Sequence, residues 1–297
     1  MAVPVAQAAR AARAARDAVC ENQMSPALPD RLAHPEFLPD PALSRTAMET
    51  LQREIGEAAT FADDLPFDPG TVCVDEPVQT TLDSRDSETT SSQPADPPLV
   101  AGIDQAFLDD RAIGAVVVLQ GNQIVERAHA VTDLEIPYIP GLLAFREGEP
   151  ILAALSELST DPDLLVLDGS GRIHFRQAGI ATHVGVLLDL PAIGVAKSLL
   201  CGTPEGSVEG LPEGARVPIR ADGRVEAPED TLLGYAYQSR QFDSPNRHIN
   251  PLYVSPGHRI DPDTAVDIVA GCCAGYKLPE PTRLADSYAD DVKVEYR

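Results

Sequence analysis

Three strand-like runs follow one another with almost nothing between them: LVAGIDQAF from Leu99, AIGAVVVLQ from Ala112 and QIVERAHAV from Gln123. Gly121-Asn122 joins the second to the third, and these residue types accept the left-handed backbone of a tight hairpin. The pattern then changes. A helical stretch is expected over about 147–159, followed by Leu164–Leu167, an apolar run closed by Asp168-Gly169. A short run with no polar alternation marks a strand buried on both faces. GIATHVGVLLDLP reads as a helix and AIGVAK as a second buried strand. Residues 203–230 are loop-rich; LLGYAYQSR and PLYVSPGHR are two more strands, and DPDTAVDIVAGCCAGY is a helix with Asp261 as its N-cap. Consecutive strands followed by alternating helix and parallel strand predict an α/β fold with a mixed central sheet flanked by helices.

The chain of 297 residues is long enough for this domain plus extensions. Residues 1–40 begin with Ala/Arg repeats, turn Pro-rich and are expected to be a disordered extension. An Arg-rich start also resembles a transit peptide, and Met24 is an alternative start. Residues 41–62 have helical spacing at Leu43, Ala47, Leu51, Ile55 and Ala58 and are expected to add an N-terminal helix to the domain. Residues 63–98 contain TLDSRDSETTSSQPADPP and are expected to be an acidic disordered insertion. The sheet domain would then occupy 99–297.

Charge narrows the setting. There are 23 Lys+Arg against 46 Asp+Glu, a net charge of −23. Lys197, Lys277 and Lys293 are the only lysines. Such a surface keeps a protein soluble in concentrated salt, so a salt-rich cytoplasm is expected. Non-specific nucleic-acid binding is disfavoured, although a local patch built from Arg146, Arg172, Arg176, Lys197 and Arg259 would still grip a polyanion. No apolar run reaches the ~18–20 residues of a membrane span. The five cysteines, Cys20, Cys73, Cys201, Cys272 and Cys273, show no zinc spacing and are expected to be reduced.

Three carboxylates are candidates for chemistry. Asp104 lies inside an apolar strand, where an isolated carboxylate is costly without a cation or donors. Asp168 ends a buried strand, and the carboxyl ends of such strands are where open α/β sheets place ligands. Glu147 points within about 40° of Ile151 on its helix, toward the sheet. Each alone has an ordinary reading as an edge, turn or capping residue. Gathered at one sheet edge, they would suit Mg²⁺ or Mn²⁺ and hydrolysis of a phosphodiester. The chain lacks H-E-x-x-H, G-x-S-x-G and G-x-G-x-x-G, which weakens zinc, serine-hydrolase and dinucleotide readings.

Six segments together resemble endonuclease V: VAGIDQAF, PYIPGLLAFRE, LDGSGRIHFRQAG, IGVAKSLLCG, SPGHRI and GYKLPEPTRLAD. The likeness covers about 41–60 and 99–290. It implies an RNase H-like fold and a cytoplasmic, Mg²⁺-dependent monomer (Mn²⁺ as a substitute), not membrane-associated, that acts on DNA containing deoxyinosine. Cleavage at the second phosphodiester bond 3′ to the lesion would leave 3′-hydroxyl and 5′-phosphate ends. Asp104, Glu147 and Asp168 match the family's metal-binding carboxylates. His258 matches a histidine near the attacked phosphate, Lys197 an active-site lysine, and His174 a residue contacting the strand. Tyr138, between Pro137 and Pro140, matches a wedge that fills the space of an extruded base. Gly141, Leu143, Gly169, Gly179 and Leu200 match the pocket that receives that base. Phe175 and Gln105 depart from the usual pattern without removing a ligand. Two alternatives remain open: an endonuclease for inosine-containing RNA, and an inactive RNase H-like binding module.

Overall fold

A computed structural model describes residues 31–79, 96–134, 136, 139–243 and 247–296. Its centre is a nine-stranded mixed sheet in the order β3-β2-β1-β4-β5-β9-β8-β7-β6. The strands are β1 (Leu99–Phe107), β2 (Arg111–Gln120), β3 (Gln123–Asp133), β4 (Leu164–Asp168), β5 (Ala192–Ala196), β6 (Thr203–Pro204), β7 (Arg216–Arg220), β8 (Leu232–Tyr237) and β9 (Leu252–His258). β1 and β4, and β4 and β5, pair in parallel, whereas β1–β2–β3 and β5–β9–β8 pair antiparallel. Among the described residues, five α-helices surround the sheet: α1 (Arg45–Ala58), α2 (Leu143–Ser156), α3 (Ile180–Leu188), α4 (Pro262–Gly271) and α5 (Glu280–Glu295).

Strand parity explains the two cores. Leu164 and Val166 of β4 pack with Val266, Val269 and Leu284 of α4 and α5. Leu165 and Leu167 pack with Ile151, Leu155 and Val184 of α2 and α3. An uninterrupted apolar run is therefore what a strand needs when successive side chains enter opposite cores. On β1, Val100 belongs to the α5 side and Ala101 and Ile103 to the α2 side. Asp104 and Asp168 continue the row that faces α5.

Three sequence expectations need correction. Residues 31–40 are no loose extension: Phe37 is buried, Arg31 donates to the carbonyls of Leu155 and Leu158, and His183 Nε2 donates to Phe37 O. Residues 63–79 are packed too. Val72, Val74 and Val78 enter the α4–α5 core, while the backbone N–H groups of Val74 and Val78 donate to Gly271 O and Glu280 Oε2. Alternating valines supply burial that the Asp/Pro-rich composition concealed. The rest of the expected insertion, 80–95, lies outside the described residues, as do residues 1–30 with Cys20. Finally, α2 starts at Leu143, so Glu147 sits in its second turn and Pro150 lies inside the helix. A proline there removes the N–H that would bond to Arg146 O.

The first helix forms as expected, with Ser44 Oγ capping Ala47 N. Its buried face is Met48, Gln52 and Ile55, rotated from the expected stripe and carrying one polar residue. No helix among the described residues is long and apolar enough to cross a membrane.

Candidate metal centre and base cleft

The carboxyl ends of β1, β4 and β5 open on a cleft of about 380 Å³, within the size range of ordinary ligand pockets. Asp104, Asp168 and Asp286 each offer an oxygen there, all within 4.8 Å of one another. Two come from the α5-facing row of the strands and the third from α5 itself. This donor set fits a hard divalent cation: oxygen ligands only, gathered where like charges would otherwise repel. Burial and the neighbouring Asp168 push the Asp104 pKa well above the carboxylate range.

Asp286 was not singled out from the sequence, and Glu147 was. Glu147 lines the same cleft but enters from α2, on the other face of the sheet, and is not part of the 4.8 Å group. Its carboxyl is buried, and burial raises its pKa to about 7, against the pull of Arg146 at 3.5 Å and with a push from Asp168. A carboxyl with a raised folded pKa keeps a proton that the unfolded chain has released. The stability it contributes is therefore present below pH ~4.3 and is lost as pH rises toward about 7. Metal-free protein should accordingly melt at falling temperature across that interval. Glu147→Gln should flatten this part of the profile, and an unchanged slope in calorimetry would contradict the assignment.

Lys197 follows β5. Its Nζ lies 2.7 Å from Asp168 Oδ2 and 3.5 Å from Asp286 Oδ1. Burial pulls its pKa down, but Asp168, Asp104 and Asp286 outweigh that and hold it above the ordinary lysine value. The ammonium stays charged beside the carboxylates.

The opposite wall is made by Gly141, Leu143, Gly169, His174, Gly179 and Leu200. Gly141 has φ +79°, and a Cβ there would meet the Phe175 ring at 2.9 Å, so only glycine fits this turn. Its carbonyl accepts from Gln52 Nε2 (2.9 Å) and from His174 Nε2 (3.1 Å). His174 Nδ1 accepts from Arg176 N and Ala178 N, and burial lowers its pKa to about 4. Both nitrogens of this neutral ring are spent inside the protein, which makes His174 a brace for the wall. Gln52, also fixed by Arg176 Nε at 2.9 Å, is a second brace that sequence reasoning missed. A polar residue in a helical core stripe was its signal. Pro140 is exposed and does not line the cleft. Pro137 and Tyr138, the expected wedge, lie outside the described residues.

His258 is not brought to the site. It pairs with Ala192, at the opposite end of β5 from Ala196 and Lys197. Its Nδ1 accepts from Thr60 N and its Nε2 donates to Asp189 Oδ1, both at 3.1 Å. Because β9 runs antiparallel to β5, the last residue of β9 reaches the far edge of the sheet; this ring ties down the chain after α1. The expected basic patch is dispersed as well. Arg146 stacks on Phe107, Arg172 stacks on Phe61, Arg176 serves Gln52 and Glu49, and Arg259 binds Asp64 and Asp189.

A sequence model of the Endonuclease V family matches residues 81–287. The Endonuclease V of Haloarcula marismortui is 60% identical over 267 residues, 88% of this chain and 96% of that protein. The crystal structure of the Endonuclease V from Streptomyces avermitilis aligns at 32% identity with a TM-score of 0.62, over 86% of this chain and 95% of that one. The Endonuclease V of Ciona intestinalis, solved with a 24mer DNA containing an inosine followed by a ribo-adenosine, shares the fold at 24% identity (TM-score 0.63; 85% and 98% coverage). The mixed sheet is thus the RNase H-like arrangement expected from the sequence.

Proposed function

Because the chain belongs to the Endonuclease V family, we propose that it is a Mg²⁺-dependent endonuclease that hydrolyses DNA beside deoxyinosine, at the second phosphodiester bond on the 3′ side, leaving 3′-hydroxyl and 5′-phosphate ends. The observation that carries this reading is the gathering of Asp104, Asp168 and Asp286 within 4.8 Å at the mouth of a glycine-walled cleft. Those three carboxylates would hold the cation. When bound, it supplies Lewis-acid polarisation of the phosphate and a more acidic water.

The chain's own residues do the rest. Lys197 holds Asp168 and Asp286 in register and presents positive charge where the phosphate gains negative charge. Glu147, with its pKa near 7, is matched to taking up a proton from the attacking water on its carboxylate. Gly141, Gly169 and Gly179 let backbone groups come close to an extruded base, and Leu143 and Leu200 cover its faces. His174 and Gln52 hold that wall rigid through Gly141 O. Tyr138 is the proposed wedge.

The test is incubation of pure protein in molar KCl with Mg²⁺ and an end-labelled duplex containing one deoxyinosine. One metal-dependent cut 3′ to the lesion is expected, with the undamaged duplex left intact. Equal cutting of both duplexes, or none, would overturn the reading. A matched RNA strand with one inosine, run alongside, would replace DNA as the proposed substrate if it were cut faster.

A further inference from the structure

Most arginines of the described chain are neutralised where they stand, from Arg31 with Asp161 to Arg283 with Glu280. In a chain with twice as many acids as bases, that is the expected fate of a cation. Three cations nevertheless carry no ion pair to a described carboxylate, and they belong to two segments that bond to each other: Arg240 and Arg247 after β8, and Lys277 before α5. Their position is informative. β8 ends at Tyr237, which pairs with Leu252; the adjoining pair on β9 and β5 is Tyr253 with Ala196. The described parts of the β8–β9 connection, 238–243 and 247–251, therefore lie at the same end of the sheet as Lys197 and the metal carboxylates.

This connection is anchored. Gln238 Nε2 donates to the carbonyls of Arg240 and Ile249, so it clamps both arms. Gln241 Oε1 accepts from Phe242 N and Ile249 N, while its Nε2 donates to Leu211 O. Ser239 Oγ donates to Lys277 O and Arg240 Nη1 to Gly275 O, which binds the segment before α5 to the same platform. The Arg247 guanidinium lies 4.1 Å over the Phe242 ring, which orients it without using its charge. Arg240 and Arg247 are exposed and Lys277 is half-buried. Lys277 is close enough to Lys197 that the second ammonium, after burial, lowers its pKa. Asp243 lies on the same connection, and Glu213 Oε2 accepts from Gln241 N. Three cations against these two acids stand out on a chain of charge −23.

We propose that Lys277, Arg240 and Arg247 form a phosphate-binding strip that carries the nucleic-acid backbone away from the cleavage site, on the side of Lys197 remote from Asp104. The proposal rests on the endonuclease reading above for its ligand. Its chemistry is indifferent to base identity: guanidinium and ammonium groups meet phosphate oxygens, and the lesion is read elsewhere. Two of the chain's three lysines then serve one polyanion, Lys197 at the reacting phosphate and Lys277 beyond it.

The experiment measures binding by fluorescence anisotropy in EDTA, so that no cutting occurs. Full-length wild type, K277Q/R240Q/R247Q and the control R216Q, whose arginine on β7 pairs with Asp267 of α4, are titrated with labelled deoxyinosine and undamaged duplexes. A KCl series is used over which melting curves show each protein folded. Each lost phosphate contact removes about 0.9 from the slope of log K against log salt. The triple variant should therefore be shallower than wild type by about two to three, with affinity for both duplexes reduced in the same proportion, at least tenfold at the lowest salt. R216Q should follow wild type. A triple variant whose slope and affinity match R216Q would overturn the strip. A wild type that does not prefer the inosine duplex would instead count against the proposed function, and the slope comparison would still report on the strip.

Discussion

Asp104→Asn should abolish cleavage, by roughly a thousandfold or more, and should also raise the melting temperature of the metal-free protein. The two effects share one cause. Asp104 is 7% exposed and faces Asp168, so without a cation its charge is both desolvated and repelled. Asparagine has nearly the same shape, and its Oδ1 can still accept from Gln105 N, which now donates to Asp104 Oδ1 at 2.7 Å. What disappears is a charge that the Lys197 ammonium offsets only in part and that a bound cation would offset fully. Wild type should gain about 2.7 kcal/mol of stability when Mg²⁺ is present at a hundred times its Kd. The variant should gain almost none. Calorimetry with and without Mg²⁺, beside a cleavage assay, reads all three outcomes. A variant that cuts well, or that melts below wild type in EDTA, would remove Asp104 from the metal centre.

Gly102→Ala should do comparable damage from a position that touches no ligand. A Cβ at Gly102 would lie 1.9 Å from Pro281 O, at the start of α5, and that obstacle is backbone. The helix must move away from β1, at a cost of about 3 kcal/mol for overpacking. Asp286 rides on the same helix. Its oxygen should leave the 4.8 Å group, and Mg²⁺ affinity should fall roughly 10- to 100-fold. Gly206→Ala is the control, since its Cβ meets nothing nearer than Val217 Cγ1 at 3.9 Å. Urea unfolding and metal titration separate the two consequences. If Gly102→Ala unfolds as wild type does and binds Mg²⁺ equally well, the close contact between β1 and α5 is not what places Asp286.

These two residues show how far the sequence could be read. Asp104 and Asp168 were legible because each interrupts or ends an apolar strand, where a carboxylate needs a reason. β4 and the β2–β3 hairpin were legible because burial on two faces and a tight turn both leave local patterns. Asp286 left none. It follows Leu284 and Ala285 in the buried stripe of an otherwise polar helix, and only the parity of β1 and β4 shows that α5 covers the row ending in Asp104 and Asp168. Helical rotation turns Glu147 toward the sheet, and it lines the cleft without joining the carboxylate group expected of it, because which face of the sheet its helix covers is a tertiary fact. His258 shows the same gap. Its motif is local, whereas its distance from the site depends on β9 running antiparallel to β5. Gln52, Val72, Val74 and Val78 were hidden by polar surroundings, because composition averages over the alternation that decides burial.

The local pairing of arginines with carboxylates has a consequence for how the protein meets its substrate. Seen from a distance the molecule is an anion approaching another anion, and the pairs cancel before they can steer. At about 0.1 M ionic strength the field extends some 10 Å, but at 1 M only about 3 Å. In dilute buffer, mutual repulsion should slow encounter. In brine it dies away within a water layer, and the few uncancelled cations can act by touch alone.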